Sequence, residues 1–165
     1  MIKIAHLADI HIRNLKYHKE YNDIFNQLYQ RLRDEEIDII YVGGDIAHTK
    51  TQLSPEYFEM CSDFLSSLAD ITDTYAILGN HDGNLRTANR QDAVTPIVEA
   101  LEHPKLNLLK NSGEWEIAPR VIFNNLSIFD SENWTEPTDP EKINIALYHG
   151  SVSGCQTDAG WVMEH

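Results

Sequence analysis

Apolar and polar positions alternate between two periods along this chain. Ile2–Ala8, Ile37–Val42, Thr74–Leu78 and Ile143–Tyr148 are short apolar runs that read as buried strands. Between the first two, apolar residues at 17, 21, 24, 25, 28, 29 and 32 trace a helical stripe. Ser54-Pro55 supplies a cap and a first-turn proline for a second helix reaching Leu68, with Phe58, Cys61, Phe64, Leu65 and Leu68 inward. Asp92–Leu101 predicts a third helix, with Val94, Ile97, Val98 and Leu101 inward and Pro96 tolerated in its first turn. After Pro104 the spacing shortens. Leu106–Leu109, Trp115–Ile117, Val121–Phe123 and Leu126–Phe129 read as strands, with a hairpin turn at Asn124-Asn125. Ser131–Asp139 and Gly150–Gly160 read as loops. Strand–helix alternation followed by short strands predicts an α/β layered sandwich of two mixed β-sheets flanked by helices.

At 165 residues and 42% hydrophobic, the chain can build one domain with a packed core. It contains no apolar run of the ~18 residues that a membrane span needs. Cys61 and Cys155 have no metal-site spacing and read as reduced thiols of a cytoplasmic protein. A net charge of −13 argues against gripping nucleic acid by bulk electrostatics, although bound cations invert a local field. The basic residues are unevenly placed. Six of 13, namely Arg13, Lys16, Lys19, Lys50, Arg86 and Arg90, follow within eight residues of the polar motifs described next, which suggests a basic rim.

Each of the four apolar runs ends in a polar motif: Asp9-x-His11, Gly44-Asp45, Gly79-Asn80-His81-Asp82 and Tyr148-His149-Gly150. In open α/β sheets, ligands collect at the carboxyl ends of strands. Carboxylate, amide and imidazole donors delivered there suit a pair of divalent ions. Asp45, after two glycines, is the natural bridge, because each carboxylate oxygen can take one metal. Asp9 and His11, two apart on an extended segment, would share one ion; Asn80 and His149 would serve the second. Mixed N and O donors favour Mn²⁺, Fe or Zn²⁺ over Ca²⁺ or Mg²⁺. His81 can protonate a leaving oxygen, with Asp82 orienting its ring. The gaps Asp9 to Asp45 and Asp45 to Asn80 are 36 and 35 residues, each room for one helical crossover. Of the remaining histidines, His6 reads as core, and His18 and His103 as surface.

These ordered motifs resemble the calcineurin-like metallophosphoesterase superfamily. Gly44-Asp45-Ile46-Ala47-His48 and His6-Leu7-Ala8-Asp9-Ile10-His11 resemble its DNA-repair nuclease branch, the SbcD type, which includes phage recombination endonuclease subunits. The resemblance implies a Mn²⁺-dependent DNA exonuclease and endonuclease with two metal ions. It implies Asp9, His11, Asp45, Asn80 and His149 as ligands, His81 as catalytic, and His48 beside the DNA phosphate. Arg13, Lys50, Arg86 and Arg90 would contact substrate. Implied partners are DNA, an SbcC-like SMC-type ATPase and a second copy of the full-length protein, with no membrane; the setting would be the nucleoid, or host cytoplasm for a phage-encoded protein. The family's Gly-His-x-His motif downstream of the His149 position has no counterpart here, where His165 stands alone. The expectation is that residues 1–165 form an incomplete catalytic domain, without capping and partner-binding regions, that binds metal weakly and cleaves poorly. Two other readings stay open: a phosphatase or phosphodiesterase acting on a small nucleotide or phosphoprotein, and a non-catalytic scaffold of the same fold.

Overall fold

The computed structural model describes residues 1–87 and 90–163; His165 lies outside them. Among the described residues, seven strands form two sheets. The first is β1 (Ile4–Leu7), β2 (Ile39–Gly43), β3 (Asp73–Ile77) and β4 (Leu106–Leu108), in that order and all parallel. The second is β5 (Gly113–Ala118), β6 (Val121–Asn125) and β7 (Ile143–Leu147), antiparallel then parallel. The expectation of two mixed sheets therefore holds for the second only. Each parallel step in the first sheet needs a crossover, and α1 (His18–Asp34), α2 (Pro55–Ile71) and α3 (Thr95–Leu101) supply them.

The side-chain period of two sorts the central strand. Ile40 and Val42 face the helices, where they join Phe25, Phe64, Leu65 and Leu68. Ile39 and Tyr41 face the second sheet, where they join Ile77, Phe123 and Leu147. Both faces of β2 are buried, so its sequence is a continuous apolar run without alternation. The layers are helices, parallel sheet, second sheet.

Local chemistry sets the element ends. Ser54 caps α2 by accepting the Tyr57 N–H at 3.2 Å. The third helix begins at Thr95 rather than Asp92, because Asp92 acts from outside it. Its carboxylate accepts the Val94 and Thr95 N–H groups at 2.9 and 2.6 Å and pairs with Lys110 at 2.8 Å. On α1 the packed stripe narrows to Tyr21, Phe25, Leu28, Tyr29 and Leu32, and Tyr17 and Ile24 are exposed. On α2, Phe58 is exposed and Tyr57 takes the inward position.

The hairpin predicted at Asn124-Asn125 lies elsewhere. It turns at Pro119-Arg120 between β5 and β6, with Arg120 at φ 67°. Asn124 and Asn125 are buried strand residues. The Asn125 amide donates to the Leu109 and Asn111 carbonyls at 2.6 and 2.8 Å. The Asn124 amide donates to Asn144 Oδ1 at 3.0 Å, so both amide nitrogens find acceptors inside the strand, while Asn125 Oδ1 has no partner among the described residues. Leu126–Phe129 follows as a turn and not as a strand.

Asp82 ties the loops beneath the strand ends. It is fully buried, and its carboxylate accepts the Ala47 and Gly79 N–H groups at 2.7 and 2.8 Å. Burial pushes its pKa up from 3.8 to about 6, against those hydrogen bonds, with the Asp45 charge adding to the rise.

Phe64, fully buried and 4.4 Å from the Phe25 ring centroid, should lose about 3–5 kcal/mol of stability as Phe64→Ala. Phe58→Ala should cost under about 1 kcal/mol; urea unfolding checks both. Because the folded state holds the Asp82 proton more tightly than the unfolded chain, this group's contribution weakens as pH rises from about 4 to about 6. In chelator, the stability of Asp82→Asn relative to the parent should therefore improve by about 2 kcal/mol between pH 4.5 and 7, at 1.36 kcal/mol per tenfold. A constant difference would show that burial does not perturb this carboxyl.

Candidate metal centre

The four polar motifs meet at the carboxyl ends of their strands. Asp9 follows β1, Asp45 follows β2, Asn80 follows β3 and His149 follows β7. The loops after β1 and β2 run side by side. The Asp9, His11 and Ile12 N–H groups donate to the carbonyls of Gly44, Asp45 and Ile46 at 3.1, 2.9 and 2.8 Å. This pairing holds Asp9, His11 and Asp45 at φ of 56°, 51° and 53°, left-handed conformations that non-glycine residues seldom adopt. The segment carrying Asp9 and His11 is thus coiled rather than extended, and backbone pairing, not strand alternation, aims their side chains.

Asp45 is the hub. Its carboxylate is buried, and Oδ1 accepts the His81 N–H at 2.8 Å. Oδ2 stands 3.6 Å from His11 Nε2 and 3.3 Å from His149 Nε2. The expectation that each oxygen would serve one metal is therefore revised: one oxygen faces both imidazoles, while the other holds the backbone of the next loop. His149 donates its Nδ1–H to the Gly43 carbonyl at 2.6 Å, which leaves the Nε2 lone pair toward Asp45. That bond joins the second sheet to the end of β2.

Two glycines make the approach possible. A Cβ on Gly44 (φ 91°) would lie 2.6 Å from His149 Nδ1, and one on Gly79 would overlap the Asp45 backbone and carboxylate.

Two groups of ligand atoms lie mutually within 4.8 Å: His11, Asp45 and His81 in one, Asp9, Asp45 and His149 in the other. The expected pairing of Asp9 with His11 on one ion becomes a division between the two groups, although Asp9 Oδ1 and His11 Nε2 are only 3.7 Å apart. His81 joins the ligand-type cluster, a placement the sequence reading did not assign. Asn80 lines the same cleft of about 690 Å³. These residues fit divalent cations. They combine two carboxylates with three imidazoles, and the ionic neighbours of Asp45 among the described residues are histidines rather than Lys or Arg. His11 Nδ1 is buried without a partner.

Asp82 does not orient the His81 ring. The ring's Nδ1 faces the His48 carbonyl at 2.9 Å, while the Asp82 carboxylate is committed to two backbone N–H groups. His48 stacks 6.2 Å from the His81 ring, and desolvation, then the charges of Arg13, His11 and His81, lowers its pKa and favours the neutral imidazole. Lys50 donates to the Asn80 carbonyl at 3.1 Å and edges a smaller cavity with His48 and His81. Arg86 and Arg90 are exposed on the loop beyond Asp82.

The other histidines depart from their expected places. His6 is exposed, 4.9 Å from the Tyr41 ring, and lines the metal cleft. His18 and His103 are half-buried, bonding the Arg13 carbonyl at 2.6 Å and Asp70 at 3.2 Å. Neither had a sequence signal, because each partner is set by tertiary or turn geometry. Among the described residues, no helix is long and apolar enough to cross a membrane.

The family model for calcineurin-like phosphoesterases matches residues 2–162. The R555 protein of Acanthamoeba polyphaga mimivirus, whose name states no activity, is 39% identical over 98% of this chain and 13% of its own length. The 244L protein of Invertebrate iridescent virus 6, a phosphoesterase by name only, is 25% identical over 95% of this chain and 56% of its own. The chain thus spans about half of one curated relative and a small part of the other. Among solved structures it is similar to the Pseudomonas putida nuclease MPE, at 20% identity and TM-score 0.48, over 74% of this chain and 52% of that one. It is also similar to a dimetal phosphatase from Danio rerio, at 13% identity and TM-score 0.42, over 85% and 48%. With its motifs gathered at the carboxyl ends of strands from both sheets and the family model running over nearly its whole length, the chain belongs to the calcineurin-like phosphoesterase family.

Proposed function

We propose that this chain carries the catalytic centre of a metal-dependent phosphodiester hydrolase acting on DNA, with two Mn²⁺ ions as its cofactor. The observation that carries the reading is the Asp45 carboxylate, whose Oδ2 faces two imidazoles at 3.3 and 3.6 Å between two ligand-type clusters. Asp9, His11, Asp45, His149 and Asn80 would hold the ions, with His81 beside them for the leaving group. Divalent ions there supply Lewis-acid charge neutralisation and a nucleophile at neutral pH.

The rest of the reaction falls to the chain's own groups. His81, its Nδ1 fixed on the His48 carbonyl, presents Nε2 to the cleft and can pass a proton to a leaving oxygen. Neutral His48 can donate a hydrogen bond to a phosphate oxygen. Lys50, anchored on Asn80, places an ammonium at the same edge. Arg13, close enough to bias His48, extends that positive rim, with Arg86 and Arg90 farther along the chain. In this reading the chain works with DNA and an SbcC-like SMC-type ATPase in the cytoplasm, as a dimer in its full-length form.

A second reading, a phosphodiesterase or phosphatase acting on a small nucleotide, is favoured by the net charge of −13. A long polyanion would meet that field, and a small substrate held at the cations would meet little of it.

A panel of linear DNA, cyclic nucleotides and p-nitrophenyl phosphate with Mn²⁺, run on the intact full-length protein, separates the readings. Turnover of DNA, lowered about 100-fold or more in Asp45→Asn, supports the nuclease. Turnover of the small esters alone supports the second reading. No Mn²⁺-dependent turnover of any substrate, with no rise in melting temperature at millimolar Mn²⁺, would leave the fold as a scaffold.

A further inference from the structure

Trp134 is 41% exposed, large for a residue whose ring is fixed at both ends. Its Nε1–H donates to the Ser127 carbonyl at 2.8 Å. Its ring meets Tyr148 edge to face, 5.5 Å between centroids at 83°. Together they border a cavity of about 460 Å³ that also takes in Leu85, Asn80 and His149, a size in the ~300–1,000 Å³ range of small-ligand sites. Asn80, Tyr148 and His149 line the metal cleft as well, so the two hollows share a wall. Leu85 is 53% exposed and adds an apolar side to the aromatic one. Ser131 is the other near neighbour from the Trp134 loop, and no Lys or Arg borders the cavity among the described residues.

We propose that Trp134 and Tyr148 form a stacking site for a nucleobase whose phosphate lies at the metal centre, so that the substrate class is a nucleoside phosphate, either free or at a strand end. The inference rests on the phosphoester reading of the cleft and deepens it. An indole held by its own hydrogen bond loses little freedom on stacking, so its face is prepared for a planar ligand. Any base offers a π-face, so the site tolerates sequence. The chemistry also suits an acidic chain. A cavity without Lys or Arg suits the neutral part of a nucleotide, while the cleft beside it holds the charged part.

The test compares AMP with ribose 5-phosphate in saturating Mn²⁺, by calorimetry and by quenching of tryptophan fluorescence. The parent protein should bind AMP about 5- to 150-fold more tightly, the range that stacking on one aromatic gives, with fluorescence quenched by AMP only. Trp134→Ala should bring the ratio near one while leaving ribose 5-phosphate affinity unchanged, which also shows that the cleft is folded. Trp134→Phe should retain most of the preference. Equal affinities in the parent, or a preference that survives Trp134→Ala, would overturn the stacking site and leave the phosphoester centre standing. Failure of both ligands to bind would remove the phosphoester reading and this inference with it.

Discussion

One buried carboxylate organises this molecule. Asp45 binds the loop after β3 with one oxygen and faces imidazoles from two other loops with the other. Among the described residues no Lys or Arg pairs with Asp45, and Asp9 and buried Asp82 add negative charge nearby. Carboxylates brought together without lysine or arginine raise one another's energy. A cation relieves that cost, which is the physical reason the cluster reads as a metal centre rather than as an ion-pair network.

The backbone records the same constraint. Of seven non-glycine residues with positive φ among the described residues, three are Asp9, His11 and Asp45. Such conformations cost of order 1–3 kcal/mol each and persist only where the surroundings dictate them. Here the surroundings are the hydrogen bonds between the loops after β1 and β2, the Asp82 clamp on Ala47 and Gly79, and the absence of a Cβ at Gly44 and Gly79. A parallel sheet covered on both faces supplies the rigid base from which these loops project.

Much of this was legible because parallel sheets write it plainly. Apolar runs ending in Gly-Asp or Gly-Asn-His-Asp announce strand ends, and strand ends of one sheet lie together. The meeting of Asp9, Asp45 and Asn80 was readable for that reason, and the layered α/β architecture with it, whereas His149 arrives from the second sheet. What was not legible depends on contacts across the fold. The partition of His11 with His81, and of Asp9 with His149, follows from loop pairing that no local pattern encodes. Asp82 stands next to His81 in sequence yet turns inward, because its carboxylate is taken by the Ala47 and Gly79 N–H groups while the half-buried His81 ring bonds the His48 carbonyl. The Asn124-Asn125 pair carries turn chemistry, but pairing with β5 and β7 and acceptors on Leu109, Asn111 and Asn144 hold it in a strand. Trp134 lay in a segment that reads as a polar loop; its pairing with Tyr148 is a tertiary fact.

The most direct test of the central claim is anomalous diffraction at the manganese edge from a crystal grown with Mn²⁺. The account predicts scattering at both clusters, His11–Asp45–His81 and Asp9–Asp45–His149, with Asp45 contacting the metal at each. Manganese bound elsewhere, or absent from both clusters at millimolar concentration, would contradict it.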